Sequence, residues 1–461
     1  MYLPILTASC NVLTPCRGQV NVGCVPKKVM WNTADMAEHL RDAPEYGFNI
    51  PGGVPTFEWN TLKKKRDAYI HRLNGIYERN LEKDKCDYLS GTATFVEPGK
   101  VEVKFLDGSE SKIITAKHIC VAVGGHPTID RSVPGAEHGI DSDGFFRLET
   151  QPKRVAIVGA GYIAVEFAGI FNALGSEVDL FIRQKSFLRT FDPMVQEVLM
   201  KEYEKNGIKV HRESHPCRNI EKLPSGNLRL HYNSQLGEGS KEVDCLIWAI
   251  GRTPETEQLR LKEIGVKTDA KGQIMVDQYQ NSSVEGIYAI GDVTGQIELT
   301  PGNGTLEIRS DGVVAIAAGR RLADRLFGGP KFSTSRLDYT NVPSVVFAHP
   351  EIGAIGMTEP EARKKYGDEN IKIYKSDFVA MYFAMLDKKG PTSYKLVCEG
   401  PNGTPTRAEG KLIVERIVGM HIIGIGSSEI LQGFGVAIKM GATKADFGIL
   451  SMANYLTNHP S

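Results

Sequence analysis

The sequence predicts the α/β class, built from parallel βαβ units, and three observations predict it. At 461 residues the chain is too long for one core, and about 150 residues per domain gives roughly three folding units. Its 48 glycines gather at the ends of short apolar runs, where a positive φ or a close backbone approach is needed. One such run, KRVAIVGAGYIAVEFAGIFNALGSEVDLFIR (Lys153 to Arg183), reads as a buried strand, a glycine turn, an apolar helix and a second strand.

The totals exclude several classes of function. Lys+Arg and Asp+Glu each number 55, so no net field recruits nucleic acid or an anionic membrane. The eight cysteines (Cys10, Cys16, Cys24, Cys86, Cys120, Cys217, Cys245, Cys398) show neither CxxC metal spacing nor the density of a secreted disulfide scaffold, which predicts a reducing compartment and no metal. MYLPILTASC lacks a basic flank and carries a proline, a poor secretory signal. No apolar run approaches the ~18 residues of a membrane span. A soluble intracellular chain is expected, and the NGT triplets at Asn303 and Asn402 read as Asn-Gly turns.

In chain order, QVNVGCVPKKVMWNTADMAEHL (Gln19 to Leu40) reads as a turn entering a helix, with Cys24 at its start. HICVAVGGHP (His118 to Pro127) and DCLIWAIGRTP (Asp244 to Pro254) share a plan of apolar strand, glycine and turn, an internal repeat that brings Gly251 to a strand end. Between them lies the βαβ run. Gly159 makes its tight turn, Gly161 lets the backbone approach a pyrophosphate at the helix N-terminus, and Ala164 is the third small residue, for helix–strand packing.

A site for NAD places an acid about 20 residues on, at the end of the second strand. Here that strand runs to Arg183, with Arg189 following, and Asp179 lies inside the strand. Two guanidiniums suit a 2′-phosphate better than a hydroxyl, because the phosphate accepts forked charge-assisted bonds; NADPH is the expected nucleotide. VEGIYAIGDVTG is a third strand, ending in Gly291 and Asp292, where an acid holds a ribose or polyol hydroxyl.

Together these pieces resemble the class I pyridine nucleotide-disulfide oxidoreductases, and within them the glutathione reductases. The resemblance covers about Val20 to Phe447 and rests on VNVGCVPKK, GAGYIAVEFAG, IRQKSFLR, AIGDVTG and NVPSVVFAHPEIG. It implies an α/β fold with two Rossmann-like dinucleotide-binding domains, one for FAD and one for NADPH, plus an α+β C-terminal dimerisation domain. The implied boundaries are 1–122 for the first part of the FAD domain, 123–253 for the NADPH domain, 254–337 for the central FAD part and 338–461 for the interface domain. The implied activity is NADPH-dependent reduction of glutathione disulfide on a FAD-containing homodimer, serving glutathione homeostasis in the cytoplasm and also the mitochondrion.

The resemblance also assigns residues. Cys24 takes the place of the flavin-proximal sulfur, Lys27 that of a lysine near the flavin paired with the glutamate of the NADPH helix, here Glu166, and Tyr162 that of the nicotinamide lid. Gly251, Gly291, Asp292 and Thr300 fall on cofactor positions. Tyr69, Tyr77, Asn80 and Arg320 match positions that contact glutathione disulfide. His459, before Pro460, echoes the family's catalytic His-Pro-Thr segment.

The chain departs from the family plan in five places. Gln19 stands where the family has the first cysteine of the redox pair, and an amide forms no disulfide. Three extended residues displace Cys16 from that place by ~10 Å, and disulfide Cα atoms lie within ~7 Å. The first FAD glycine loop is not found before Val20, and the glutamate after His-Pro-Thr is not found after His459. Restoring residue 19 alone is therefore expected to leave the site incomplete. Two polar, turn-rich stretches, GNGTLEIRSDGVV (Gly302 to Val314) and NGTPTRAEGKLIVER (Asn402 to Arg416), are inserted relative to the family; the first reads as a small hairpin or loop and the second splits the hairpin region of the interface domain. Added surface loops and translated intron both fit them. Two other readings stay open: a non-catalytic NADPH-binding remnant that serves as a structural or regulatory partner, and another disulfide reductase of the family. The Arg183/Arg189 pair disfavours a dihydrolipoamide-type enzyme.

Overall fold

The computed structural model describes residues 20–234, 237–298, 305–307, 312–400, 407–408, 411–412 and 415–449. Gln19, Thr300 and His459 lie outside the described residues. The chain divides into two compact units. Met1–Val29, Trp59–Thr128 and Gly251–Tyr339 make the first, and Met30–Glu58, Ile129–Ile250 and Thr340–Ser461 the second.

In chain order, α1 (Cys24–Asp42) and α2 (Trp59–Lys83) precede β1 (Gly91–Glu97), β2 (Lys100–Phe105), β3 (Lys112–Thr115), β4 (Ile119–Val121) and β5 (Gly125–Pro127). The central run is α3 (Ser142–Arg147), β6 (Arg154–Val158), α4 (Tyr162–Ala173), β7 (Glu177–Phe181), α5 (Pro193–Lys205), β8 (Lys209–His211), β9 (His215–Lys222), β10 (Leu228–Ser234), β11 (Gly237–Val243) and β12 (Cys245–Trp248). Next come β13 (Arg252–Pro254), β14 (Ile274–Asp277), β15 (Ile287–Ala289), β16 (Thr294–Glu298), β17 (Thr305–Glu307) and α6 (Gly312–Phe327). The last part holds β18 (Ser344–Val346), β19 (Ile352–Gly356), α7 (Glu359–Tyr366), β20 (Ile371–Phe378), β21 (Thr392–Glu399), β22 (Arg407–Ala408), β23 (Lys411–Leu412), β24 (Arg416–Ile423), α8 (Ser427–Lys439) and α9 (Lys444–Ile449).

In the first unit only the tails of the sequence repeat pair, β5 with β13 antiparallel; its leading strands part, β4 lying parallel to β15 here and β12 parallel to β6 in the second unit. Phe95, Val103, Ile119, Ile274 and Ile287 belong to one buried core there. The first inserted stretch supplies β17, antiparallel to β16, as a hairpin requires. Its last residues, Gly312 to Val314, correct the loop expectation, because they belong to α6. Nothing in Gly-Val-Val stops the helix, and the apolar period of the following residues extends back through it.

In the second unit β12, β6, β7 and β8 form a parallel sheet in that order. Parallel strands are covered on both faces and so read as unbroken apolar runs, which is why Val155 to Val158 and Val178 to Phe181 are all buried. Every residue of α4 from Ala164 to Phe171 is buried as well. β7 stops at Phe181, two residues short of Arg183, because the chain then leaves the sheet to fold back toward the glycine turn. The C-terminal part is α+β, an antiparallel sheet of order β18-β19-β24-β21-β20. Its core includes Ile355 and Ile422 of the sheet with Leu431, Phe434 and Ile438 of α8. The second insertion carries the β22–β23 pair between β21 and β24. An α/β molecule with Rossmann-like parallel sheets and an α+β C-terminal domain is the architecture expected from the sequence.

Candidate active site

Gly159, just past β6, has φ +148, and a Cβ there would meet the carbonyl oxygen of Ala249 at 2.1 Å. No other residue fits that turn. Its N–H donates to the Phe181 carbonyl at 3.0 Å, which ties the turn to the neighbouring strand. Ala164 is fully buried, with its Cβ 3.3 Å from that same position, so a third small residue lets α4 close on the turn. Gly161 caps α4 at φ −87, and a Cβ on it would meet nothing within 4 Å. The space over Gly161 is open, at the end of a helix whose first N–H groups carry partial positive charge. Tyr162, the first helical residue, is 51% exposed beside it.

Arg183 and Arg189 are both exposed on the loop between β7 and α5, and Lys185 is a third exposed cation on that loop, missed in the sequence reading. The loop is fixed, since Leu188 donates its N–H to the Ala160 carbonyl at 2.8 Å while Phe187 and Leu188 are buried. Asp179, the acid that would argue for NAD, is 1% exposed and accepts from His211 Nε2 at 2.7 Å, with Lys241 Nζ 3.1 Å away. Burial pushes its carboxyl up, but bonds from His211 and Lys241 outweigh this and hold it below its ordinary value. It is a structural ion, and the loop presents cations. This turn and loop fit a pyridine dinucleotide carrying an extra phosphate.

Glu166, on the same helix, is 2% exposed, and its Oε1 accepts from the Phe347 N–H at 2.9 Å. A buried carboxylate on a nucleotide-binding helix is thus held from the segment after β18. Gly159, Gly161, Tyr162, Ala164, Glu166, Arg183 and Arg189 are all brought to one turn, helix and loop.

The first unit holds the other candidates. Cys24 is exposed at the start of α1, and Lys27, one turn along, is half-buried. The segment before Cys24 is tied to α2 by Asn74 Nδ2, which donates to Asn21 Oδ1 at 2.8 Å; Asn74 is buried and was not singled out in the sequence. α2 carries Tyr69, Tyr77 and Asn80, all exposed, about two turns and then one turn apart. Arg320 is exposed on α6. Gly291, at φ +76, turns the chain after β15 and leaves Asp292 exposed at the strand's carboxyl end. Gly251, at φ +141, accepts from the Thr128 N–H at 3.0 Å. Among the described residues no group of three or more His, Cys, Asp or Glu is placed to hold a metal, and no helix is long and apolar enough to cross a membrane.

Residues 9–304 match the family model described as pyridine nucleotide-disulphide oxidoreductase, and residues 342–460 match its dimerisation domain. The chain is 53% identical over 431 residues to a protein named glutathione reductase from Schizosaccharomyces pombe, covering 93% of this chain and 86% of that one. It is 51% identical over 449 residues to a protein of the same name from Yarrowia lipolytica, covering 96% and 89%. With the glycine turn, the nucleotide-binding helix and the C-terminal sheet in place, the chain belongs to the pyridine nucleotide-disulphide oxidoreductases.

Proposed function

We propose that the chain is built as an NADPH-dependent glutathione-disulfide reductase, the reaction in which NADPH, a proton and glutathione disulfide give NADP⁺ and two glutathione thiols, and that Gln19 holds the turnover of this sequence low. The observation that carries this is one chain with an exposed Cys24 in VNVGCVPKK and a glycine turn flanked by Arg183 and Arg189. The names of the two relatives support the substrate. In this reading the N–H groups around Gly159 and Gly161 take the pyrophosphate of NADPH, Arg183 and Arg189 its 2′-phosphate, and Tyr162 lids the nicotinamide.

FAD, when bound, supplies the two-electron relay between nicotinamide and sulfur. The exposed Asp292 and the left-handed Gly291 fit a hydroxyl-bearing cofactor, and Gly251 and Thr300 join them in this reading. Lys27, one turn beyond Cys24, takes the place of the lysine near the flavin and Glu166 that of its partner in this reading. Tyr69, Tyr77, Asn80 and Arg320 offer donors for the peptide carboxylates of glutathione, and His459 protonates the departing thiolate. Residues 338–461 form the homodimer interface in this reading, and the cysteine usage supports a reducing compartment such as the cytoplasm.

Gln19 favours a second reading, an NADPH-binding partner protein without turnover, because the thiol that would attack glutathione disulfide is an amide. The purified chain decides between the two. Visible flavin absorbance with NADPH oxidation that requires glutathione disulfide is the outcome expected of a reductase. NADPH binding without that oxidation leaves the second reading.

A further inference from the structure

The loop that carries Arg183 and Arg189 ends at Asp192, a carboxylate with 0% exposure. Asp192 caps α5, its Oδ1 accepting from the Met194 N–H at 3.0 Å. The same oxygen accepts from Lys395 Nζ at 2.9 Å, and Oδ2 accepts from the Glu359 N–H at 3.0 Å. Lys395 lies on β21 and is 5% exposed; it also pairs with Glu359 at the start of α7. An ion pair this deep costs desolvation that an apolar pair would not, and its best-attested use is to fix register or position.

The position it fixes is that of the loop. Phe191 donates its N–H to the Leu188 carbonyl at 2.8 Å, and Gln196 Nε2 returns to the Phe191 carbonyl at 2.8 Å. Leu188 is in turn bonded to Ala160 of the glycine turn. Arg189 therefore lies between Leu188, held by the turn, and Asp192, held by residues of the C-terminal sheet domain, while the start of the loop by Arg183 is tied through the Ile182 N–H, which donates to the His211 carbonyl at 2.9 Å.

We infer that Lys395 and Asp192 are positioning residues for recognition of the 2′-phosphate: they hold the Arg183–Arg189 loop so that preference for NADPH over NADH depends on the C-terminal domain. This rests on the NADPH reading above. NADH needs the glycine turn but not the arginines, so loosening the loop weakens NADPH alone.

The test titrates NADPH and NADH into the purified full chain and follows tryptophan fluorescence, with no turnover required. Lys395→Met removes the charge from the C-terminal side, and Asp192→Asn removes it from the loop side while keeping an oxygen for the cap. Either variant is expected to raise the Kd for NADPH about tenfold, the loss of roughly one charged contact, and to leave the Kd for NADH within about twofold of the unmodified chain by the same reasoning. Equal shifts for both nucleotides, or an unchanged preference, overturn the inference and leave the NADPH reading intact. An unmodified chain with no preference for NADPH overturns both. Failure of both variants to fold also overturns it, since the pair would then hold the fold rather than the loop.

Discussion

Leu188 donates its backbone N–H to the carbonyl of Ala160 at 2.8 Å, stitching the arginine loop to the glycine turn. In the proposed reading, the turn that takes the pyrophosphate and the loop that offers cations to the 2′-phosphate are tied by this one backbone bond. Reversing one charge on that loop acts on the phosphate alone. Arg183→Glu is expected to weaken NADPH by about 1.5–3 kcal/mol, the range for a hydrogen bond to a charged group, with little change for NADH. Equilibrium titration with both nucleotides checks this, and equal losses would remove the phosphate from the assignment.

The two glycines of the turn are expected to fail differently. Gly159→Ala places a Cβ 2.1 Å from the Ala249 oxygen at a φ of +148, so overpacking and backbone strain together cost roughly 2–5 kcal/mol. Gly161→Ala meets nothing within 4 Å at φ −87. It should melt with the unmodified chain yet bind NADPH more weakly, since the added methyl occupies the open space over the helix end. Thermal melting beside nucleotide titration separates the two outcomes.

What the sequence made legible was local. The run from Lys153 to Arg183 carries its strand, turn and helix in its own apolar period, and Gly159, Gly161 and Ala164 fall where that period puts them. Of the repeat around Gly251 only the short strands after the glycines pair, β13 with β5. The anchors of the site were not legible. Asp192 meets Lys395 across 203 positions, Phe347 meets Glu166 across 181, and Asn74 meets Asn21 across 53. Each is a side chain satisfying a buried polar partner brought near only by the fold, and periodicity carries no trace of it. The start of α6 was not legible either: the stretch inserted relative to the family is no structural unit, since the helix runs back into its Gly312.

Beside the buried pair lies His421, 1% exposed, with Nε2 on the Met357 carbonyl at 2.9 Å. Burial holds its pKa below the ordinary 6.5, and the nearby Asp192 charge only partly offsets this. In the unfolded chain the imidazole takes its proton first as pH falls. Its contribution to stability is therefore full above about pH 6.5 and is lost as pH falls from there toward the folded pKa, at up to ~1.4 kcal/mol per pH unit. His421→Gln removes that titration. Urea midpoints at several pH values should show the gap between unmodified and variant chains narrowing toward acid; a constant gap would count against it.

On α8, Leu431, Phe434 and Ile438 face the core while Val436 is 62% exposed, and Met440 just beyond is 83% exposed. Apolar side chains this open in a dimerisation domain are expected to be covered by the partner. Sedimentation should give about twice the 50.7 kDa chain mass, and Val436→Glu should shift it toward the monomer. A monomer in both cases would place the interface elsewhere.

The last prediction concerns the pair of positions 19 and 24. With Gln19 in the outer place, Cys24 has no thiol five residues before it, so the interchange step lacks its nucleophile. Loss of a nucleophile costs on the order of 10³-fold or more in rate, and the unmodified chain is expected to fall that far below the S. pombe relative in oxidising NADPH with glutathione disulfide. Gln19→Cys restores a CxxxxC spacing. In the oxidised form of that variant the introduced thiol and Cys24 are expected to be joined, so the variant titrates with no more thiols than the unmodified chain, and reduction releases two more than oxidation leaves. That count reads the local chemistry without depending on turnover, which needs the rest of the site. Rapid turnover by the unmodified chain would mean that another thiol reaches Cys24, with Cys16 the first to replace by serine.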